Sequence, residues 1–359
     1  MKAVVLVGGQ GTRLRPLTYD MPKPMLPVAG ASMIERVIGR LPAFGVDEVV
    51  LSLGYRPDAF TAAFPDQRAA GVDLFYAVEP EPMDTAGAIR FAADAAGIND
   101  CFLVLNGDVL TDLDVGALIE FHRARKARAT IALTPVEDPS AFGVVPTDAE
   151  GRVTAFIEKP ARGSAPTNLI NAGAYVIEPG VLDLIPPRTA VSVERQTFPQ
   201  LVAEGSLYAM ASDAYWLDTG TPGQFIRGCI DAMARFRPPR AGVAESEPGV
   251  WMAAGVEPKG RLSGPALLEE GVTVAADAFV GAAVVGRGAR IEEGAEVSGS
   301  VLMDGAVVEA GASVTGSIIG SGARIGAEAR VGPVSIVGIG AEVPARHELA
   351  DGRWPEAPA

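Results

Sequence analysis

Lys2-Ala3-Val4-Val5-Leu6-Val7-Gly8-Gly9-Gln10-Gly11-Thr12-Arg13-Leu14-Arg15-Pro16 follows the initial Met1. A short apolar run broken by two glycines reads as a buried first strand closed by a tight turn. The break comes too early, with no small-residue cleavage site after it, for a signal peptide. Directly after a strand, glycines let backbone N–H groups approach a phosphate closely, and Arg13 and Arg15 add guanidinium charge. No Gly-Lys-Ser/Thr follows, so the loop is not a P-loop, and Leu14 stands where a dinucleotide fingerprint needs its third glycine. Alone, such a loop also fits a plain turn; the segments beyond it decide.

Outward from this loop, residues 47–54, 72–78 and 101–106 are further strand-like runs, with helix-like stretches near 32–41, 56–64 and 85–96. The alternation implies an α/β fold, a Rossmann-like, mostly parallel sheet flanked by helices, whose ligands bind at the carboxyl ends of strands. Those ends are Gly8 to Arg15 and Asn106 to Asp108. Strand-like segments at 129–136, 142–146, 152–158 and 171–177, then a helix-like stretch near 221–235, complete an expected catalytic domain over residues 1–235. Residues 236–260, rich in Pro, Gly, Ala and Glu, read as a linker. Beyond them aliphatic residues recur at Leu268, Val274, Val280, Val285, Ile291, Val297, Leu302, Val308, Val314, Ile319, Ile325 and Val331, spaced six, six, five. Neither a helix nor a flat strand has that period. A triangular β-coil does, with one inward residue per face and Gly or Ala at its corners. The expectation is a C-terminal left-handed parallel β-helix of hexapeptide-type repeats over 261–345, with a tail at 346–359.

The 359 residues suit two domains, and no apolar run reaches the roughly 20 residues that span a bilayer, so a soluble protein without membrane contact is expected. The net charge of -14 opposes binding to nucleic acid, so a phosphate site must be a local positive pocket. Cys101 and Cys229 are too few and too far apart for a disulfide framework or a cysteine-based metal site, which makes the reducing cytoplasm the expected compartment. Five of the 30 basic residues are lysines, yet Lys23 in Pro22-Lys23-Pro24 and Lys159 in Glu158-Lys159-Pro160 both precede prolines that stiffen the chain. A compact ammonium is wanted at each. Asp108 ends the run Leu103-Val104-Leu105-Asn106-Gly107-Asp108, and Asp218 sits in Tyr215-Trp216-Leu217-Asp218-Thr219-Gly220. Together they offer hard oxygen ligands for one Mg²⁺, while Asp114 and Thr221 mark the nearby helix starts. His122 and His347 lie outside these motifs and are expected at the surface.

In order along the chain, GGQGTRLRPLT (8–18), PKPMLPVAG (22–30), EPMDTAGA (81–88), LNGDVL (105–110), AFGVV (141–145), FIEKP (156–160), NAGAYV (171–176) and YWLDTGTP (215–222) make the sequence resemble the sugar-1-phosphate nucleotidylyltransferases. The likeness is strongest to their branch that joins GTP to mannose 1-phosphate. It implies a GT-A-like nucleotidyltransferase domain that makes a nucleoside-diphosphate sugar and pyrophosphate with Mg²⁺. By position it assigns Gly8, Gly9, Gly11, Thr12, Arg13 and Gly107 to the nucleotide, Lys23 to the triphosphate, and Asp108 with Asp218 to the metal. Gly143, Glu158, Lys159 and Asn171 fall to the sugar phosphate. The coil itself reads as a structural or assembly module whose flat faces and end can pack on another subunit, in a homo-oligomer, or on the first domain. One departure is Asp84, where the family usually has glycine. From the residues themselves, Glu79 at the end of the third strand has a carboxylate able to accept both N1–H and the 2-amino group of guanine.

The sugar phosphate is already an anionic nucleophile, so catalysis needs in-line positioning and charge neutralisation rather than a base. Arg13, Lys23, Asp108, Lys159 and Asp218 are the expected catalytic residues. Competing readings are a glucose-1-phosphate enzyme using UTP or dTTP, a catalytically silent homologue that senses nucleotide sugar, and an acyltransferase. The last needs a histidine between coils, and none occurs from 261 to 346.

Overall fold

The computed structural model describes residues 1–54, 56–235 and 242–356. Met1–Gly9 with Ile34–Leu217 forms one compact unit, and Gln10–Met33 with Asp218–Ala359 the other.

In the first unit the strands and helices are β1 (Lys2–Leu6), β2 (Glu48–Leu53), α1 (Pro57–Ala63), β3 (Val72–Val78), α2 (Asp84–Ala95), β4 (Phe102–Asn106), α3 (Val115–Arg125), β5 (Ala129–Pro135), β6 (Leu169–Ile177) and β7 (Leu207–Ala211). Strands β3, β2, β1 and β4 lie side by side in that order and all run parallel. Ala3, Val4, Val5, Val49, Val50, Leu51, Leu103 and Val104 are fully buried, as strands covered on both faces must be. Strand β6 then pairs antiparallel with β4 and β5, and β7 runs parallel to β5. The Rossmann-like reading therefore holds, with β7 an unforeseen addition: five residues ending in Ala-Met-Ala carry little periodicity. Helix α3 begins at Asp114, whose carboxylate accepts from the amide of Ala117 at 3.0 Å. Because strand order reverses beside β1, the crevice for a ligand opens after β1 and β4.

The second unit holds α4 (Pro222–Arg235) and a parallel β-helix. Every aliphatic position in the six-six-five pattern is buried, and the register shows why: Val280 pairs with Val297, Val297 with Val314 and Val314 with Val331, each 17 residues on. Val274, Ile291, Val308 and Ile325 stack on a second face, and Leu268, Val285, Leu302 and Ile319 on the third. Two sequence expectations are corrected. Val243–Glu247 and Val250–Ala253, inside the expected linker, form a hairpin whose second strand runs parallel to Arg261–Leu268; residues 236–241 lie outside the described residues. At the other end the coil continues through Glu348–Leu349 and Arg353–Trp354, which pair with Arg330–Val331 and Ile336–Val337. The period lengthens from 17 to 18 after Val331, which hid this last turn from the count. Among the described residues no helix is long and apolar enough to cross a membrane.

Candidate active site

The carboxyl ends of the first unit's parallel strands gather a cradle. Gly8 follows β1, Gly54 follows β2 and Glu79 follows β3. A Cβ at Gly54 would lie 3.5 Å from the Cα of Gly8, and one at Gly8 would lie 3.9 Å from Oε1 of Glu79. The Glu79 carboxylate is held from below, accepting from Ser52 Oγ at 2.9 Å and from the amide of Met83 at 3.2 Å. Those two bonds occupy half of its lone-pair positions and fix its direction. Gly8 and Gly9 are exposed. Gly107 donates its amide to Leu6 at 2.9 Å, and a Cβ there would lie 2.5 Å from Cγ1 of Val7, so only glycine lets the chain turn tightly enough to present Asp108.

Asp84 begins α2 with φ at +55°, the left-handed region in which glycine is unstrained. Glycine would take this conformation without strain. Aspartate tolerates it because its Oδ1 accepts from the amide of Thr85 at 2.8 Å.

Further along the sheet the sugar-phosphate candidates cluster. Gly143 pairs with Glu158, and a Cβ on it would collide with Phe156 at 2.8 Å and approach Oε2 of Glu158 at 3.0 Å. Lys159 takes φ +49° while its amide donates to Phe142 at 3.0 Å, which turns its half-free side chain outward to stand 3.7 Å from Glu158 Oε1. Asn171 sits at a β-bulge: its Oδ1 accepts from Gly173 and its Nδ2 donates to the buried Tyr175 hydroxyl, both at 2.9 Å. Burial pushes the Tyr175 phenol up, so it stays neutral. Three neighbours received no role from the sequence alone. Asn106 lies where a Cβ on Gly173 would be, Trp216 Nε1 donates to Ala172 at 2.8 Å, and Phe142 packs edge-on against Trp216 at 5.5 Å. The Gly173 in NAGAYV was the available signal for Asn106.

In the second unit the rest of the glycine loop is built around Lys23. Gly11 has φ +61°, and a Cβ on it would press on Thr18 at 3.0 Å and on the Cβ of Lys23 at 3.1 Å. Thr18 Oγ1 donates to the Gly11 carbonyl at 2.9 Å, and a 3-10 turn over Thr12–Leu14 leaves Thr12 and Arg13 exposed. Lys23 is 5 % exposed, with its ammonium 3.5 Å from Asp218 Oδ1. The Arg13 guanidinium lies against Gly220, where an added Cβ would be 2.4 Å from Nη2 and 3.0 Å from Asp218 Oδ1. Arg13, Lys23 and Asp218 thus form one group. Gln224 donates its amide to Thr221 Oγ1 at 3.3 Å, so Thr221 caps α4 and capping does not account for Asp218.

The surface expectation for His122 is corrected. His122 is 1 % exposed, its Nδ1 2.8 Å from Thr130 Oγ1 and its Nε2 3.2 Å from Glu178 Oε1. The arginine-rich face of α3 concealed that His122 is on the opposite, buried side. His347 belongs to the coil's last turn and packs on Trp354 with ring centroids 4.8 Å apart.

A model of the nucleotidyl transferase family matches residues 2–233, and one described as the GMPPB C-terminal domain matches 262–350. A mannose-1-phosphate guanylyltransferase of Mycobacterium tuberculosis is 43% identical over 287 residues, 79% of either chain. A mannose-1-phosphate guanyltransferase of Yarrowia lipolytica is 40% identical over 70% of this chain and 69% of its own. Among solved structures, HddC from Yersinia pseudotuberculosis complexed with GMP-PN superposes with a TM-score of 0.56 at 28% identity, over 66% of this chain and 99% of HddC.

Proposed function

The chain belongs to the nucleotidyl transferase family and is a nucleotidyltransferase, and from that premise we propose that it converts GTP and mannose 1-phosphate into GDP-mannose and pyrophosphate. The observation that carries the choice of substrates is the recurrence of mannose-1-phosphate guanylyltransferases among relatives at 40% identity or more. Glu79 supports guanine: its remaining lone pairs suit the paired donors N1–H and 2-amino, which cytosine, uracil and thymine lack as a pair.

In this reading Gly8, Gly9, Gly11, Thr12 and Gly107 present main-chain groups to the nucleotide. Arg13 and Lys23 neutralise the triphosphate, and Gly143, Glu158, Lys159 and Asn171 hold the sugar phosphate. A phosphate oxygen of the sugar phosphate attacks the α-phosphorus, the bond to the β-phosphate oxygen breaks, and the electron pair leaves on pyrophosphate. Lys159 lowers the repulsion between the two anions before attack, while Arg13 and Lys23 take up charge on the leaving group. Asp108 and Asp218 are the proposed ligands of a divalent cation, Mg²⁺ by preference: their donor set is hard oxygen, and the caps they might have served are filled by Asp114 and Thr221. Such a cation supplies further neutralisation of the phosphates when bound. We place the reaction in the cytoplasm, in keeping with a chain that has only two cysteines, and assign the coil to contacts between copies of the chain.

The test is a grid of four nucleoside triphosphates against mannose-, glucose- and N-acetylglucosamine-1-phosphate, read as magnesium-dependent pyrophosphate release. One dominant cell at GTP with mannose 1-phosphate is expected; a dominant UTP or dTTP cell with glucose 1-phosphate overturns the assignment, and no release in any cell favours a silent sensor.

A further inference from the structure

We propose that Cys101, His122 and Glu178 form a binding site for a zinc-type divalent ion, separate from the substrate residues. Among the described residues this is the one set of three or more His, Cys, Asp or Glu side chains whose ligand atoms all lie within 4.8 Å of one another. It arises from sheet register. Strand β4 pairs antiparallel with β6, with Phe102 opposite Ile177, so the next residues outward, Cys101 and Glu178, come side by side. Helix α3 brings His122 over them. This is the end of β4 and β6 opposite to the one that carries Asn106, Asp108 and Asn171.

One pair of these ligand atoms already stands close to tetrahedral spacing. Bonds of 2.0 to 2.3 Å place neighbouring ligand atoms about 3.3 to 3.7 Å apart, and His122 Nε2 is 3.2 Å from Glu178 Oε1. The second ring nitrogen already has the oriented partner that metal-bound histidines need, buried Thr130 Oγ1 at 2.8 Å, which can accept the Nδ1 proton and leave the Nε2 lone pair facing Glu178. Charge balance favours the ion as well. Neutral imidazole, thiol and carboxylate sum to -1 in a half-buried place, whereas a dication with thiolate and carboxylate sums to zero. Binding breaks the Cys101 S–H bond, forms a sulfur–metal bond and releases the proton to water. A thiolate, an imidazole and a carboxylate suit Zn²⁺ rather than Mg²⁺.

The experiment uses the full chain, stripped with chelator and titrated with Co²⁺ as a spectroscopic probe for Zn²⁺. One equivalent should bring up a thiolate-to-cobalt charge-transfer band and tetrahedral visible bands, both abolished by Zn²⁺. Cys101→Ser should lose the charge-transfer band, Cys229→Ser should keep it, and Glu178→Gln should weaken binding at least tenfold. Magnesium-dependent pyrophosphate release, unchanged in Cys101→Ser, establishes that this variant is folded; should it fail to fold, Glu178→Gln decides. Absence of the band at stoichiometric Co²⁺, equal intensity in Cys101→Ser, or wild-type affinity in Glu178→Gln overturns the proposal.

Discussion

Lys23 is nearly sealed from solvent, and Asp218 stands 3.5 Å from its ammonium with the Arg13 guanidinium on the same glycine. Replacing a carboxylate removes a ligand of the proposed cation. Asp108→Asn and Asp218→Asn are each expected to lower turnover about a hundredfold or more, measured as pyrophosphate release at saturating substrates; near-normal rates in either would remove that residue from the machinery. Glu79 makes a separate prediction about the base. Glu79→Gln keeps a partner for Ser52 but offers guanine one acceptor in place of two, and kcat/KM for GTP should fall about tenfold to a hundredfold with little change for ATP. Much of this was legible in the sequence, because glycine, proline and acidic residues at strand ends have few structural reasons to be there. What was not legible depends on packing across distant segments: Asn106 against Gly173, Trp216 on Ala172, and the burial of His122.

At the level of elements the coil was the most readable part, since its 17-residue phase repeats the same corner chemistry. Gly271, Gly288, Gly305, Gly322 and Gly340 form one column of left-handed corners, each one turn on from the last. A second column runs Ala282, Gly299, Gly316, Val334 and Asp351, all at positive φ. Val334 is the misfit: β-branched, φ +60°, and 37% exposed, so its side chain gains little from burial. Val334→Gly should raise stability by about 1 kcal/mol, seen as a higher urea midpoint; a lower midpoint would show that the corner is not strained. This corner also holds the extra residue that lengthens the period, which is why the last turn escaped the repeat. The hairpin at 243–253 was missed for a different reason, because Glu, Ser and Ala on short paired strands carry no alternation to read.

For the molecule as a whole, one buried base links folding to acidity. Burial lowers the pKa of His122 from 6.5. Unfolded chains take up this proton below about 6.5 while the folded protein resists it, so the contribution is complete above that value and is lost as pH falls through the lower folded pKa. In the chelator-stripped chain the urea midpoint should therefore drop between about pH 7 and pH 5, and drop less in His122→Gln; equal slopes in the two proteins would show that this histidine does not report on acidity. Carboxylates across a chain of net charge -14 add to the decline in both, which is why the difference between variants is the informative quantity.

The chain passes between its two compact units three times, after Gly9, after Met33 and after Leu217. The loop that carries Arg13 and Lys23 therefore shares its unit with the coil, and a Cβ on Gly338 of the last turns would lie 3.0 Å from Pro16. Scissors applied at residue 235 would thus sever more than an appendage. A fragment 1–235 should release pyrophosphate at least tenfold more slowly than the intact chain, and the C-terminal third becomes the foundation on which the loop of Arg13 and Lys23 is laid, inherited or lost with it as one piece.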